Sequence, residues 1–134
     1  MIELHPIGHV RSPLVDLADA PRQGDEGAPE ACVVVADDYI GGLAGIAAGD
    51  ELIVLTWLDR ASRNVLSVHP RGELDRPEQG VFATRSPDRP NPIGVHRVVV
   101  THIGGDTLQV SNLEAIDGTP VVDIKPTLGS IAER

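Results

Sequence analysis

Residues 96–114 read HRVVVTHIGGDTLQVSNLE, two runs rich in β-branched residues on either side of a Gly104-Gly105-Asp106 corner. Glycine and aspartate suit the positive-φ backbone of a tight connection, and Val, Ile and Thr suit a pleated surface. The stretch predicts an antiparallel hairpin, and few folds accommodate one without further strands beside it. Asp117-Gly118 marks a second turn. Apolar alternation predicts strands near 2–10, 31–36, 51–58, 64–69, 79–84, 94–103, 107–114 and 120–125. One short helix is expected at 38–47, capped by Asp37 or Asp38 and weakened by Gly41, Gly42 and Gly45. Short strands, regular turns and little helical period predict a mainly all-β fold. The expected form is β-barrel-like or a strongly curved antiparallel sheet with at most one or two short helices, over one domain spanning 1–134.

Aromatic residues make up only 2% of the chain, so Val, Ile, Leu and Ala must fill its core. Cys32 is the only cysteine, which excludes an internal disulfide, and its setting in ACVVVA predicts a buried thiol. No apolar run approaches a membrane span and MIELHPIGHVRSP lacks a signal peptide's pattern, so a cytoplasmic location is expected.

The net charge of −9 argues against a surface that binds nucleic acid all over. The charge is uneven, however. Residues 60–97 hold seven arginines against four acids, whereas the rest of the chain holds four basic residues against sixteen acidic ones. A focused basic segment fits an anionic or carboxylate-bearing ligand, and equally a solvated face.

Within that segment lies FATRSPDRPNPIG, residues 82–94, with Pro87, Pro90 and Pro92 among Arg85, Arg89, Asn91 and Asp88. Proline keeps its carbonyl but has no N–H, so the loop is stiff, poor in donors and rich in fixed acceptors. Arg85 and Arg89 add forked donors, Asn91 offers both functions, and Gly94 permits close backbone approach. Such a mixture suits a ligand bearing a cation, a carboxylate and a heterocycle; a rigid strand connection is the plainer alternative. Asp88 is expected on the loop's exterior.

Familiar motifs do not compete. The glycines of GGLAG (41–45) do not form G-x-G-x-x-G, and there is no P-loop. His5 and His9 are separated by Pro6, and no cysteine cluster accompanies His69, His96 or His102, so no metal site is expected. Ser86, His69 and Asp88 lack the context of a hydrolase triad.

GVFATRSPDRPNPIG (80–94) and DGTPVVDIKP (117–126) resemble the tRNA N6-threonylcarbamoyladenosine methyltransferases, the TrmO, YaeB or VirR-like family. PIGHVRSP (6–13), PRQ (21–23) and WLDRASRNVLSVHPRG (57–72) extend the similarity over most of the chain. The resemblance implies a β-barrel-like fold, S-adenosylmethionine as methyl donor, tRNA as substrate, and a homodimer with cofactor sites near the interface. It implies that the 85–94 motif builds the donor site, and Arg85, Ser86, Arg89, Asn91, Pro92, Ile93 and Gly94 are the residues expected to form it. Asp117 and Asp123 become candidates for catalytic help with the acceptor's proton; Asp117 also reads as a turn residue, and Asp123 as a partner for Lys125. Arg22, Gln23, Arg63 and Lys125 become candidate substrate-binding residues. Where the family pattern continues DIKPY, this chain has Thr127. A methyltransferase of the same fold acting on a small molecule, and a non-catalytic S-adenosylmethionine-binding protein, are the alternative functions.

Overall fold

The computed structural model describes residues 1–14, 30–69 and 74–128. Its strands are β1 (Gly8–Arg11), β2 (Ala31–Val35), β3 (Glu51–Trp57), β4 (Ser67–Val68), β5 (Gln79–Gly80), β6 (Ile93–Gly104), β7 (Thr107–Ser111) and β8 (Pro120–Pro126). Six of them close an antiparallel barrel in the order β1-β2-β7-β6-β3-β8, and β4 pairs with β5 outside it. Alternation explains the closure. Val33 and Val35 of β2, Leu52 and Val54 of β3, Val98 and Val100 of β6, and Leu108 and Val110 of β7 all point inward. With Val10, Leu113 and Val121 they form one aliphatic core. Closure joins β1 to β8, so none of the six strands is an outermost one.

The predicted hairpin is β6–β7, with Gly104 opposite Thr107 and Gly105 at φ 59°. Gly118, at φ 85°, makes the second turn. Other expectations need correction. The strand expected at 2–10 begins only at Gly8, beyond Pro6. Gly8 itself lies so close to β2 that a Cβ would stand 2.1 Å from the Val34 carbonyl oxygen. The helix expected at 38–47 is a 3-10 helix over Asp37–Leu43, led in by Ala36 rather than capped by an aspartate side chain. Its glycines give an α-helix too little support. The strands expected at 64–69 and 79–84 shrink to β4 and β5, and a 3-10 turn over Val81–Ala83 follows. The strand expected at 107–114 ends at Ser111, because Asn112 turns to φ 65°. Cys32 is half-buried on the outer side of β2, since alternation sends its neighbours Ala31 and Val33 inward.

The strand order places the points where the connections 12–30, 58–92 and 112–119 leave and rejoin the barrel at one end of it, here called the mouth. The 3-10 helix and the β6–β7 turn lie at the other. No helix among the described residues is long and apolar enough to cross a membrane.

Candidate functional site

At the mouth, the proline loop is held in shape mainly by its own chain. The Arg89 guanidinium donates from Nη1 to the carbonyls of Thr84 (3.1 Å) and Ser86 (3.0 Å), and from Nη2 to that of Val81 (2.9 Å). Arg63 donates from Nε to the Pro90 carbonyl (2.8 Å) and from Nη2 to Asn91 Oδ1 (3.0 Å). The Arg63 guanidinium also lies over the Trp57 ring, 5.0 Å from its centroid. The Leu58 N–H donates to the Pro92 carbonyl and the Ile93 N–H to that of Asn91. Arg89 N–H bonds the Ser62 carbonyl, and Asp88 Oδ1 accepts from the Ser62 N–H at 2.8 Å. Ser86 Oγ donates to the Asp88 carbonyl at 3.3 Å.

These contacts sharpen the sequence expectations. Many of the fixed carbonyls are present, but those of Thr84, Ser86, Asp88, Pro90, Asn91 and Pro92 each already accept a bond from within the chain. Arg89 and Arg63, expected to meet ligands, are fastenings of the loop. Asp88 is half-buried and tied to Ser62 rather than idle on the exterior. Pro92 and Gly94 are buried, whereas Arg85, Asn91 and Ile93 are exposed. Of the seven residues predicted to hold the donor, these three have the most exposed side chains.

Arg85 reaches down from the loop to donate to the Val95 carbonyl at 3.2 Å. Val95 begins an outward wall. The register sets Ile93 beside Trp57, then Val95 beside Leu55 and Asp123, then Arg97 beside Ile53 and Lys125. Two inter-strand spacings, about 10 Å, separate Val95 from Asp123. The wall carries exposed aliphatic groups between a guanidinium at one border and a carboxylate at the other. Asp123 Oδ2 pairs with Lys125 Nζ at 2.9 Å, and its Oδ1 accepts from the Ile124 N–H. A bulge in β8 between the partners of Leu55 and Thr56 lets Asp123 share the outer face while Val121 points inward.

Asp117 stands apart from that wall. Its Oδ1 accepts from the Ser12 N–H at 3.0 Å, and its own N–H donates to the Leu14 carbonyl. It ties the β7–β8 turn to the exit of β1, the role its turn chemistry suggested. Arg22 and Gln23 belong to the 12–30 connection, which leaves and rejoins the barrel at the mouth, but they lie outside the described residues. Between the Asp37–Leu43 helix and β8 is a hollow of about 370 Å³ lined by Ile7, Asp38, Tyr39, Leu43, Asp123 and Ile124 among others. Among the described residues no group of three His, Cys, Asp or Glu could hold a metal ion.

Sequence reasoning missed a buried polar chain beneath the loop. His96 Nε2 lies 2.7 Å from Thr56 Oγ1, and its Nδ1 lies 2.7 Å from Glu114 Oε1. Alternation from the buried Gly94 could have placed His96 inside. Its partners, 40 and 18 residues away, left no local signal.

Residues 9–131 match the model of the tRNA-methyltransferase O N-terminal domain. An S-adenosyl-L-methionine-binding protein of Archaeoglobus fulgidus is 47% identical over 122 residues, covering 91% of this chain and 86% of that one. A probable S-adenosyl-L-methionine-binding protein of Methanothermobacter thermautotrophicus is 43% identical over 125 residues, covering 93% and 89%. The crystal structure of TrmO from Pseudomonas aeruginosa superposes with a TM-score of 0.76 at 27% identity. This chain is covered throughout by that match and spans 59% of the solved chain.

Proposed function

The chain belongs to the tRNA-methyltransferase O family, and we propose that it is an S-adenosylmethionine-dependent N-methyltransferase acting on threonylcarbamoyladenosine next to the anticodon of tRNA. Residues 1–134 are taken as one donor-binding barrel domain working in the cytoplasm. The observation that carries this reading is the prebuilt 84–94 loop, fastened by Arg63 and Arg89 above a wall that ends in Asp123. A loop ordered before the ligand arrives lowers the entropy cost of binding. Exposed Arg85 suits the donor's carboxylate, Asn91 suits an adenine edge, and the wall's Ile93 and Val95 suit the flat and aliphatic parts. Ser86, Arg89, Pro92 and Gly94 contribute by holding that surface in place.

S-adenosylmethionine supplies an electrophilic methyl group whose leaving group is a neutral thioether, so the chain needs no general acid. Its work is alignment of donor and acceptor, together with help for the proton that the acceptor nitrogen gives up. Asp123 is the better placed of the two candidate carboxylates, because Asp117 is held in its turn. Lys125, paired with Asp123, and Arg22 and Gln23 are the proposed substrate-binding residues.

Titration of the protein with S-adenosylmethionine, beside Asn91→Ala, tests the donor site. Saturable binding that the substitution weakens is expected; unchanged affinity in the variant overturns this placement.

One observation favours the alternative of a small-molecule acceptor. Arg63 and Arg89 spend donors on carbonyls within the loop and Arg97 pairs with Glu51, so part of the basic segment is already engaged. Methyl transfer to tRNA should weaken steeply with added salt, whereas transfer to a small neutral acceptor should change little. Binding without turnover on either acceptor would instead identify a non-catalytic binding protein.

The family's homodimer finds support in exposed apolar side chains on the β3–β6 connection: Leu66, Leu74 and Phe82. A second copy of the chain is the partner proposed for them. Sedimentation should show a dimer that Phe82→Glu weakens; a wild-type monomer removes the proposal.

A further inference from the structure

The inside of the barrel is aliphatic except at its mouth. There Thr56 on β3 is fully buried, His96 on β6 is 4% exposed, and the Glu114 side chain on the β7–β8 connection is 16% exposed. The carboxylate can only accept, so it sets the Nδ1–H of the imidazole. Nε2 and the Thr56 hydroxyl share the ring's second hydrogen bond. No buried side-chain polar atom among the described residues lacks a partner. Apolar side chains of the same size would fill the space at least as favourably, so packing alone does not account for these three. A hydrogen-bonded chain adds direction. It admits one arrangement of β3, β6 and the 112–119 connection, at the place where β7 has already ended and no longer flanks β6.

Gly94 sits directly on this chain. A Cβ there would stand 2.4 Å from Thr56 Oγ1 and 2.7 Å from His96 Nε2. Gly94 is also the last residue of the proline loop and the register partner of Thr56. We propose that Thr56, His96 and Glu114 are positioning residues: their buried hydrogen-bonded chain sets the seat of Gly94 and, through it, the geometry of the 85–94 loop. The consequence for donor binding rests on the proposed function; the seating itself does not.

Two readouts separate these levels. Hydrogen exchange of the peptide covering 85–96 reads the seating without ligand, and calorimetric titration with S-adenosylmethionine reads its consequence. Thr56→Val keeps the shape and removes the hydroxyl. Glu114→Leu removes the acceptor at a site close to solvent, and Glu114→Gln restores an acceptor oxygen. Val110→Ala, a core truncation elsewhere in the barrel, controls for general loss of stability.

Exchange should rise about tenfold in Thr56→Val and Glu114→Leu, with β1 and β2 unaffected and Glu114→Gln close to wild type. Val110→Ala should lower the melting temperature without that local pattern. Donor affinity should fall in the same two variants. Wild-type exchange in both overturns the proposal, as does an equal local change in Val110→Ala. Faster exchange with unchanged donor affinity keeps the seating and shows instead that the donor binds elsewhere.

Discussion

Replacing Arg89 by methionine keeps most of the aliphatic stem and removes the guanidinium that binds three carbonyls. The loss is unequal among them. The Val81 oxygen also accepts from the Thr84 N–H and from Thr84 Oγ1, so it keeps partners. The Thr84 and Ser86 oxygens depend on Nη1. A hydrogen bond from a charged donor contributes roughly 1.5–3 kcal/mol, and the half-buried position lets water recover part of that, leaving about 1 kcal/mol for each. The expected cost is therefore about 2 kcal/mol, or roughly 8 °C in melting temperature for a chain of this size. Urea unfolding and thermal melts measure it, and donor titration runs beside them. Arg89→Lys separates fastening from ligand charge. Lysine keeps the charge but lacks the planar fork, so it should recover at most half the stability and little of the donor affinity. An unchanged urea midpoint in Arg89→Met, with full donor affinity in Arg89→Lys, would refute the role as a fastening and restore a ligand-facing charge.

Further substitutions probe the rest of the molecule. Gly8→Ala should destabilise more than Gly94→Ala in urea unfolding. Its Cβ meets backbone at 2.1 Å, whereas that of Gly94 meets side chains at 2.4 and 2.7 Å; overpacking costs typically 1–3 kcal/mol, and about the upper figure is expected for Gly8. Asp117→Asn, which keeps an oxygen for the Ser12 N–H, should retain methyl transfer, while Asp117→Ala should lose about 1 kcal/mol of stability; inactivity of the Asn variant with normal stability would make Asp117 catalytic. Asp123→Asn breaks an exposed pair with Lys125 and should change the melting curve by less than about 1 kcal/mol. A several-fold fall in transfer rate would nevertheless mark Asp123 as part of the reaction; a normal rate would exclude it as the proton acceptor.

The pattern of β-branched residues and turn glycines was enough to predict a barrel-like antiparallel fold, because side-chain alternation and positive-φ turns are local properties of the chain. The 85–94 motif could be singled out for the same reason: proline stiffness and glycine permissiveness act where those residues stand. Its conformation could not be read that way. Arg63 and Arg89 looked like ligand groups because a guanidinium's partners are chosen by folding, and here folding brings carbonyls to them. Asp123 and Lys125 are far from Arg85 in sequence. They share a wall with it only because β3 lies between β6 and β8, with a bulge that turns Asp123 outward. The Thr56–His96–Glu114 chain was hidden most completely. Each of its members is an ordinary polar residue along the sequence, and only closure of the barrel brings the three together and excludes water from Thr56 and His96.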